Sequence, residues 1–214
     1  ESYQKSGIYL SIMGFGTGNF DDSRMESLSN HGNGTYNYID SEEEMIKVFV
    51  NERSHFYSVA NDTKCQVRFN PEAVAQYRLL GYENRLMSQE EFEDSSKDAG
   101  EIGAGQTVTA LYEVIPADGY TKDTSLATFE TRYKFSLKDT ESRSLTTEVK
   151  TAATASENMN FAAGVAAYAL VLRESEYKGS ASLSLARELV NGARTFDPDG
   201  FRAQLVQLMD KLKD

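Results

Sequence analysis

Three acidic side chains in one loop are the first residues whose types could do chemistry. Asp94, Asp98 and Glu101 lie close together in sequence, in a segment rich in glycine. Calcium sites wrap the ion with carboxylates at regular short spacings, as in Asp-x-Asp-x-Asp-Gly. That pattern is absent here. The favoured interpretation is therefore a solvated acidic loop, with a cation site held by these three acids as the alternative.

A second set of acids could support hydrolysis. Two carboxylates that converge can act as a general acid and a general base, and Glu83, Glu101 and Glu113 are the candidates. The sequence does not show whether any two converge, and most of the 33 acidic residues are expected to be solvated. No Gly-x-Ser-x-Gly elbow and no metal-ligand spacing occurs. We therefore expect a chain that is not an enzyme, with a hydrolase as the alternative.

Charge and cysteine content exclude further classes. A net charge of -11 argues against nucleic acid as a partner, because phosphate binding needs a concentrated basic face. A single cysteine, Cys65, excludes an internal disulfide. It alternates with Val67 and Phe69 in a predicted strand, so we expect it in the core. No apolar run approaches the ~20 residues of a membrane span, so direct membrane insertion is not expected.

The elements that must position these side chains begin with an α/β unit. The patterns predict a strand over 7–13, a capped short helix over 21–28, a strand over 35–40 and a helix over 41–50. Ser41 is the expected N-cap, with Glu44 at the capping-box position. The Gly14-x-Gly16 turn suggests dinucleotide binding, but Asn19 replaces the third glycine. We expect no cofactor.

The middle and the end of the chain predict an antiparallel sheet followed by helices. Strands are predicted over 64–69, 76–83, 106–115, 126–137 and 143–150, the last at an edge. Ser88 and Glu91 predict a capping box. After residue 156, helical periodicity predicts three amphipathic helices, the third opened by Asp197 as N-cap. The predicted class is α+β: a partial α/β segment, an antiparallel sheet or sandwich, and a C-terminal three-helix region.

Several stretches resemble a known family. The blocks Gly7-Ile-Tyr-Leu-Ser-Ile-Met-Gly-Phe-Gly-Thr-Gly-Asn, the run from Met25 to Asp40, and residues 42–49 together resemble the last third of a von Willebrand factor A domain. Five further blocks are similar to bacterial von Willebrand factor A proteins with a C-terminal domain of unknown function, often envelope lipoproteins. They are Val67-Arg-Phe-Asn-Pro, Tyr77-Arg-Leu-Leu-Gly-Tyr-Glu-Asn-Arg, Asp98-Ala-Gly-Glu-Ile-Gly-Ala-Gly-Gln, Phe161-Ala-Ala-Gly-Val-Ala-Ala-Tyr and Asp197-Pro-Asp-Gly-Phe-Arg.

The resemblance implies a division of the chain and a role. Residues 1–58 would be the C-terminal part of an A-like domain, and 59–214 the domain of unknown function. The family's metal ligands come earlier in the A domain, so we expect an upstream portion to carry them. The resemblance implies a cell-envelope location, at the periplasm or cell surface, and a non-catalytic role in protein interaction or scaffolding.

Two expectations concern protein partners. A truncated A-like segment would expose sheet edges and one apolar face, so self-association is expected, with pairing to an upstream segment as the alternative. Tyr82 and Arg85 are the candidate interface residues. The alternative is that these two side chains hold strands against helices.

Overall fold

The structure is a computed structural model that describes residues 8–16, 21–82 and 85–212. In chain order its elements are β1 (Ile12–Phe15), α1 (Asp22–His31), β2 (Tyr36–Ile39), α2 (Glu42–Ile46), β3 (Ser58–Phe69), β4 (Val74–Leu80), α3 (Gln89–Glu93), β5 (Gly100–Gly103), β6 (Leu111–Pro116), β7 (Ala127–Lys134), β8 (Arg143–Val149), α4 (Glu157–Leu172), α5 (Leu183–Asn191) and α6 (Phe201–Met209). The predicted α+β class is confirmed.

The described residues divide between two compact units that interleave along the chain. Unit 1 comprises Glu1–Asn70, Asn84–Thr109 and Ser125–Val149. Unit 2 comprises Pro71–Glu83, Ala110–Thr124 and Lys150–Asp214. The domain boundary between residues 58 and 59 falls at the start of β3 and stays a prediction.

Unit 1 opens with the predicted strand–helix–strand–helix. β1 and β2 pair in parallel, Ile12 opposite Tyr36, and form a two-stranded sheet with α1 between them in sequence. The Asp21 carboxylate caps α1, and Ser41 Oγ caps α2 by accepting a hydrogen bond from the Glu44 amide. α2 is shorter than predicted because a π-helical turn, Lys47–Asn51, and a 3₁₀ turn, Arg53–Phe56, replace its end.

The larger sheet of unit 1 has four antiparallel strands in the order β5-β3-β7-β8. The predicted edge position of β8 is confirmed. β3 begins at Ser58, well before the predicted residue 64, and its register against β7 shifts between Asn61 and Lys64. A bulge of this kind bends the strand and leaves an extra residue unpaired. From Lys64 to Phe69 the pairing with β7 is regular, so Cys65 still shares a face with Val67 and Phe69. The expected core position of Cys65 is nevertheless wrong, because that face is open at Cys65 and the buried side chain is Lys64 on the other face.

Unit 2 joins a two-stranded antiparallel sheet, β4 and β6, to the three predicted helices. Helices α4 and α5 approach closely at Gly164, where an added Cβ would lie 2.7 Å from Val190 Cγ2. The buried cluster of the helices consists of Ala167, Ala186, Val190, Val206 and Met209.

Some predicted details of these helices are wrong. Val165, Leu172 and Leu208 were expected on the buried stripes but are exposed. Asp197 is not the N-cap of α6, because Gly200 occupies that position in a left-handed conformation. The Asp197 carboxylate still accepts hydrogen bonds from the amides of Arg202 and Ala203, so it caps the helix from further upstream. Within the described ranges, no helix has the length and apolarity that crossing a bilayer requires.

Candidate functional site

Two of the three acids proposed for a cation site meet at one amide. Asn33 Nδ2 donates to Asp98 Oδ1 at 3.2 Å and to Glu101 Oε1 at 2.8 Å. Asp94 does not join them, since its carboxylate accepts from the backbone N and the Oγ of Ser96. Those two hydrogen bonds hold the pKa of Asp94 below its usual value, and the bond from the Ser96 hydroxyl has the larger effect. Across the described residues, no three His, Cys, Asp or Glu side chains are grouped so that they could hold a metal ion.

The turn between α1 and β2 fixes Asn33 in place. Asn33 is 8% exposed and has a φ of 48°, a left-handed conformation that asparagine tolerates better than most residues. The next residue must be glycine, because a Cβ on Gly34 would lie 1.9 Å from the carbonyl oxygen of Leu10. The Gly34 amide also bonds to the Ser29 carbonyl. The turn therefore places the Asn33 amide where it donates to Glu101 on β5 and to Asp98 in the loop before that strand.

Glu101 is the titratable group of this arrangement whose pKa is shifted most. Burial raises its pKa from the ordinary 4.5 to about 8, and the negative charges of Asp98 and Asp62 add to the effect. The hydrogen bond from Asn33 acts in the opposite direction but is the smaller influence. A carboxyl that stays protonated near neutral pH can donate a hydrogen bond, and it avoids a second negative charge beside Asp98.

A buried ion pair lies beside this group. Lys134 Nζ is 2.7 Å from Asp62 Oδ2, and the two side chains are 7% and 8% exposed. Asp62 Oδ1 also accepts from the Ala99 amide at 3.3 Å. Like Asn33, Asp62 has a φ of 48° and sits within the β3 bulge. The bulge thus turns a carboxylate inward to meet Lys134 on the neighbouring strand.

Lys64, 1% exposed, holds the short helix α3 against the sheet. Its Nζ donates to the backbone carbonyls of Glu91 and Asp94, which lie at the C-terminal end of α3. The last carbonyls of a helix have no partner within the helix, so an ammonium group satisfies them. Burial lowers the pKa of Lys64, and the nearby carboxylates of Asp62 and Asp94 partly oppose that change.

Asn61 completes what we call the polar cluster of unit 1 (Asn33, Asn61, Asp62, Lys64, Asp98, Glu101 and Lys134). Asp98 is exposed and Glu101 half-buried, and the other five side chains are buried. Its Oδ1 accepts from Ser58 Oγ at 2.9 Å and from the Tyr9 hydroxyl at 2.5 Å. Its Nδ2 donates to the Phe135 carbonyl at 3.0 Å. Every member has at least one hydrogen bond or ion pair, made to another member, to a backbone group or, for Asn61, also to the side chains of Tyr9 and Ser58. The arrangement therefore orders the bulge and the acidic loop rather than presenting a free acid or base.

The acids proposed for hydrolysis do not form a described pair. Glu101 belongs to unit 1 and is held by Asn33. Glu113 belongs to unit 2, on β6, where it forms an ion pair with Arg78 on β4. Glu83 lies outside the described residues.

The two interface candidates fall in different units. Tyr82 follows β4, has a φ of 60° and is 38% exposed. Arg85 lies between β4 and α3, and its Nη2 donates to Asn30 Oδ1 of α1 at 3.3 Å. An interface role for either residue stays a prediction.

An apolar face that the sequence did not single out lies on α2 and the turns after it. The apolar α2 face consists of Met45, Ile46, Phe49, Val50 and Phe56, each between 39% and 52% exposed. The first four follow helical spacing and share one side, and the Phe49 and Phe56 rings stack with centroids 6.4 Å apart. Val48, 2% exposed, anchors the opposite side. The pairs Met45-Ile46 and Phe49-Val50, one turn apart, were the available signal.

Comparisons with known proteins matched a family model, a relative and a solved structure. A family model described as "Uncharacterized protein YfbK, C-terminal" matches residues 54–214. The uncharacterized protein YfbK of Escherichia coli (strain K12) is 35% identical over 226 residues, which cover 97% of this chain and 39% of YfbK. The chain thus spans about two fifths of that relative's length. A solved structure, "von Willebrand factor type A from Catenulispora acidiphila", aligns with 100% of this chain and 54% of its own at a TM-score of 0.45 and 11% identity.

Proposed function

This chain belongs to the family of the C-terminal region of YfbK, and on that premise we propose that it is a non-catalytic protein-interaction or scaffolding module. The observation that carries the proposal is the apolar α2 face. Five large apolar side chains project from an element whose other side is anchored by the buried Val48. Contiguous exposed apolar surface on a soluble protein marks a place where another protein binds.

The β1–β2 sheet supports the same proposal. Parallel strands are normally covered on both faces, and two strands alone make a marginal sheet. Here β1 and β2 pair only with each other among the described residues. Phe15 at the end of β1 is 64% exposed, and Tyr38 on β2 is 37% exposed. A partner that extends this sheet or covers α2 would bury these side chains, at roughly 1.5–3 kcal/mol for each one fully buried.

A second copy of the chain is the partner that can be tested without further components. We expect self-association through the apolar α2 face at tens of micromolar, measured by light scattering or analytical ultracentrifugation. Val50→Asp places a charge on the face and should yield a monomer. Leu208→Asp is the matched control, because Leu208 on α6 of unit 2 has the same 52% exposure. The wild type remaining a monomer at these concentrations, or both variants behaving alike, would contradict the proposal.

The remaining parts of the proposal rest on the family resemblance. We place the chain in the cell envelope, at the periplasm or cell surface, as part of a lipoprotein-type protein. Metal-dependent ligand binding would belong to an upstream half of the A domain, and this chain would carry no cofactor of its own. A hydrolase has less support, because Glu101 is engaged by Asn33 and Glu113 by Arg78.

A further inference from the structure

Unit 2 contains a cleft of about 300 Å³ between its small sheet and its first two helices. Leu80 of β4 and Leu111 of β6 form the sheet side, and Ala163, Ala166 and Leu170 of α4 with Leu189 of α5 form the helix side. The volume is at the lower end of the range for small-molecule sites, and the lining is mostly apolar, as such sites require. The alanines matter because larger side chains at these positions would fill the space.

The mouth of the cleft carries one uncompensated positive charge. Arg78 lies there, but Glu113 neutralises it, and its guanidinium sits 5.1 Å over the ring of Tyr177, whose carbonyl it also bonds. Lys178 also lines the cleft. Within the described part of the chain, its exposed ammonium group has neither a hydrogen bond nor an ion pair. A cationic mouth on a chain of net charge -11 is a local feature that favours an anion.

Arg78 also determines the shape of the cleft. Its contacts with Tyr177 hold the segment Tyr177–Ala181 against β4, and that segment forms the rim. Gly179, with a φ of 55°, allows the chain to reverse there and leads into Ser182, which caps α5. The rim is therefore built from residues already fixed by other contacts, so the cleft does not depend on a ligand to form.

We propose that this cleft binds a small amphiphile, with an unbranched aliphatic chain between the sheet and α4 and an anionic head group at Lys178. The aliphatic chain removes the apolar lining from water, and the head group pairs with the free ammonium ion. A carboxylate and a sulfonate share the required chemistry. The site lies in unit 2 and the apolar α2 face in unit 1, so this proposal stands or falls independently of the proposed function.

The first test is calorimetric titration with octanoate and decanoate below their micellar concentrations. Each methylene that enters the cleft should raise affinity about fourfold, so decanoate should bind roughly fifteenfold more tightly than octanoate. Nonyltrimethylammonium has the same nine-carbon tail as decanoate and the opposite charge, and it should bind at least about tenfold more weakly than decanoate. Equal affinity for the two head groups, or no binding of decanoate, would overturn the proposal.

Two pairs of variants locate the site. Ala166→Phe should fill the cleft and abolish decanoate binding, whereas Ala169→Phe, on the exposed side of the same helix, should leave binding unchanged. Lys178→Gln should weaken decanoate about three- to tenfold and leave decanol unaffected, with Lys122→Gln, another exposed lysine of unit 2, as its control. If Ala166→Phe does not fold, judged by circular dichroism, Ala163→Leu replaces it. Binding that survives a folded cleft-filling variant would refute this location.

Discussion

Lys134 Nζ and Asp62 Oδ2 lie 2.7 Å apart in an ion pair from which water is almost entirely excluded. The pair joins β7 to the bulge of β3, two strands that are neighbours in the larger sheet. It exists because the bulge gives Asp62 a left-handed backbone that turns its carboxylate inward. A regular strand would have placed that side chain on the alternate face.

Removing one partner of this ion pair should strongly lower the free energy of unfolding. Lys134→Met leaves the Asp62 carboxylate buried without its counter-charge, which typically costs about 3–5 kcal/mol of the free energy of unfolding. Asp62→Asn combined with Lys134→Met removes both charges while keeping a residue that tolerates the left-handed backbone. The double variant should recover much of the loss in urea denaturation followed by circular dichroism.

The exposed pair Arg68–Glu130 provides the control for that experiment. Arg68 Nη2 lies 3.0 Å from Glu130 Oε2, but the arginine side chain is 53% exposed. Arg68→Met should therefore cost no more than about 1 kcal/mol. A double variant at Asp62 and Lys134 that is less stable than Lys134→Met alone would show that the charge left behind is not the origin of the loss.

Glu101 should make the protein less stable as the pH rises. Its pKa is about 8 in the folded chain and near 4.5 when unfolded, so below about pH 4.5 both states are protonated and no penalty exists. Between these values the unfolded state loses its proton while the folded state keeps it, and the free energy of unfolding falls. Because the carboxyl is partly open to water, we expect a loss on the order of 1–2 kcal/mol between about pH 5 and pH 8.

Glu101→Gln tests the assignment of that pH dependence. Glutamine keeps the shape of the side chain and cannot ionise, so the fall in stability over this range should largely disappear. Glu141→Gln, a change at an exposed acid of unit 1, should preserve it. Urea midpoints measured at several pH values give the comparison, and an unchanged slope in Glu101→Gln would exclude this carboxyl as the source.

Features that depend on local chemistry were predictable from the sequence. The capping box of Ser88 and Glu91 is present with both of its hydrogen bonds, because capping involves only neighbouring residues. The strands predicted over 126–137 and 143–150 are also present, as β7 and the edge strand β8. The acidic loop was identified, and two of its acids, Asp98 and Glu101, do converge.

Features that depend on contacts distant in sequence were not predictable. Simple alternation correctly groups Cys65 with Val67 and Phe69 on one face of β3. It does not show that this face is open at Cys65 while Lys64 on the other face is buried. Lysine is almost never fully buried without partners, and its partners here are two carbonyls of α3 that are distant in sequence. No local pattern records such a contact.

The exposure of Cys65 gives a direct test of whether its face of β3 is open to solvent. In the native protein, Cys65 should react with Ellman's reagent at a rate within about tenfold of that in the urea-unfolded chain, because an exposed thiol needs no unfolding. Its Sγ lies 3.6 Å from Thr131 Oγ1, a contact too weak to protect it. Protection by several orders of magnitude would instead place Cys65 in the core, as simple alternation predicted.

Gly164 sets the distance between α4 and α5, and replacing it should destabilise unit 2. Alanine would gain about 1 kcal/mol of helix propensity, yet its Cβ would meet Val190 Cγ2 at 2.7 Å and the Ala186 carbonyl at 3.1 Å. Forcing the helices apart typically costs about 1–3 kcal/mol, so we expect Gly164→Ala to lower the unfolding midpoint. Adding Val190→Ala removes the clashing methyl groups. Gly164→Ala should therefore lower the free energy of unfolding less in the Val190→Ala background than in the wild type. If the cost of Gly164→Ala is the same with valine or alanine at 190, the clash with this side chain is not its cause.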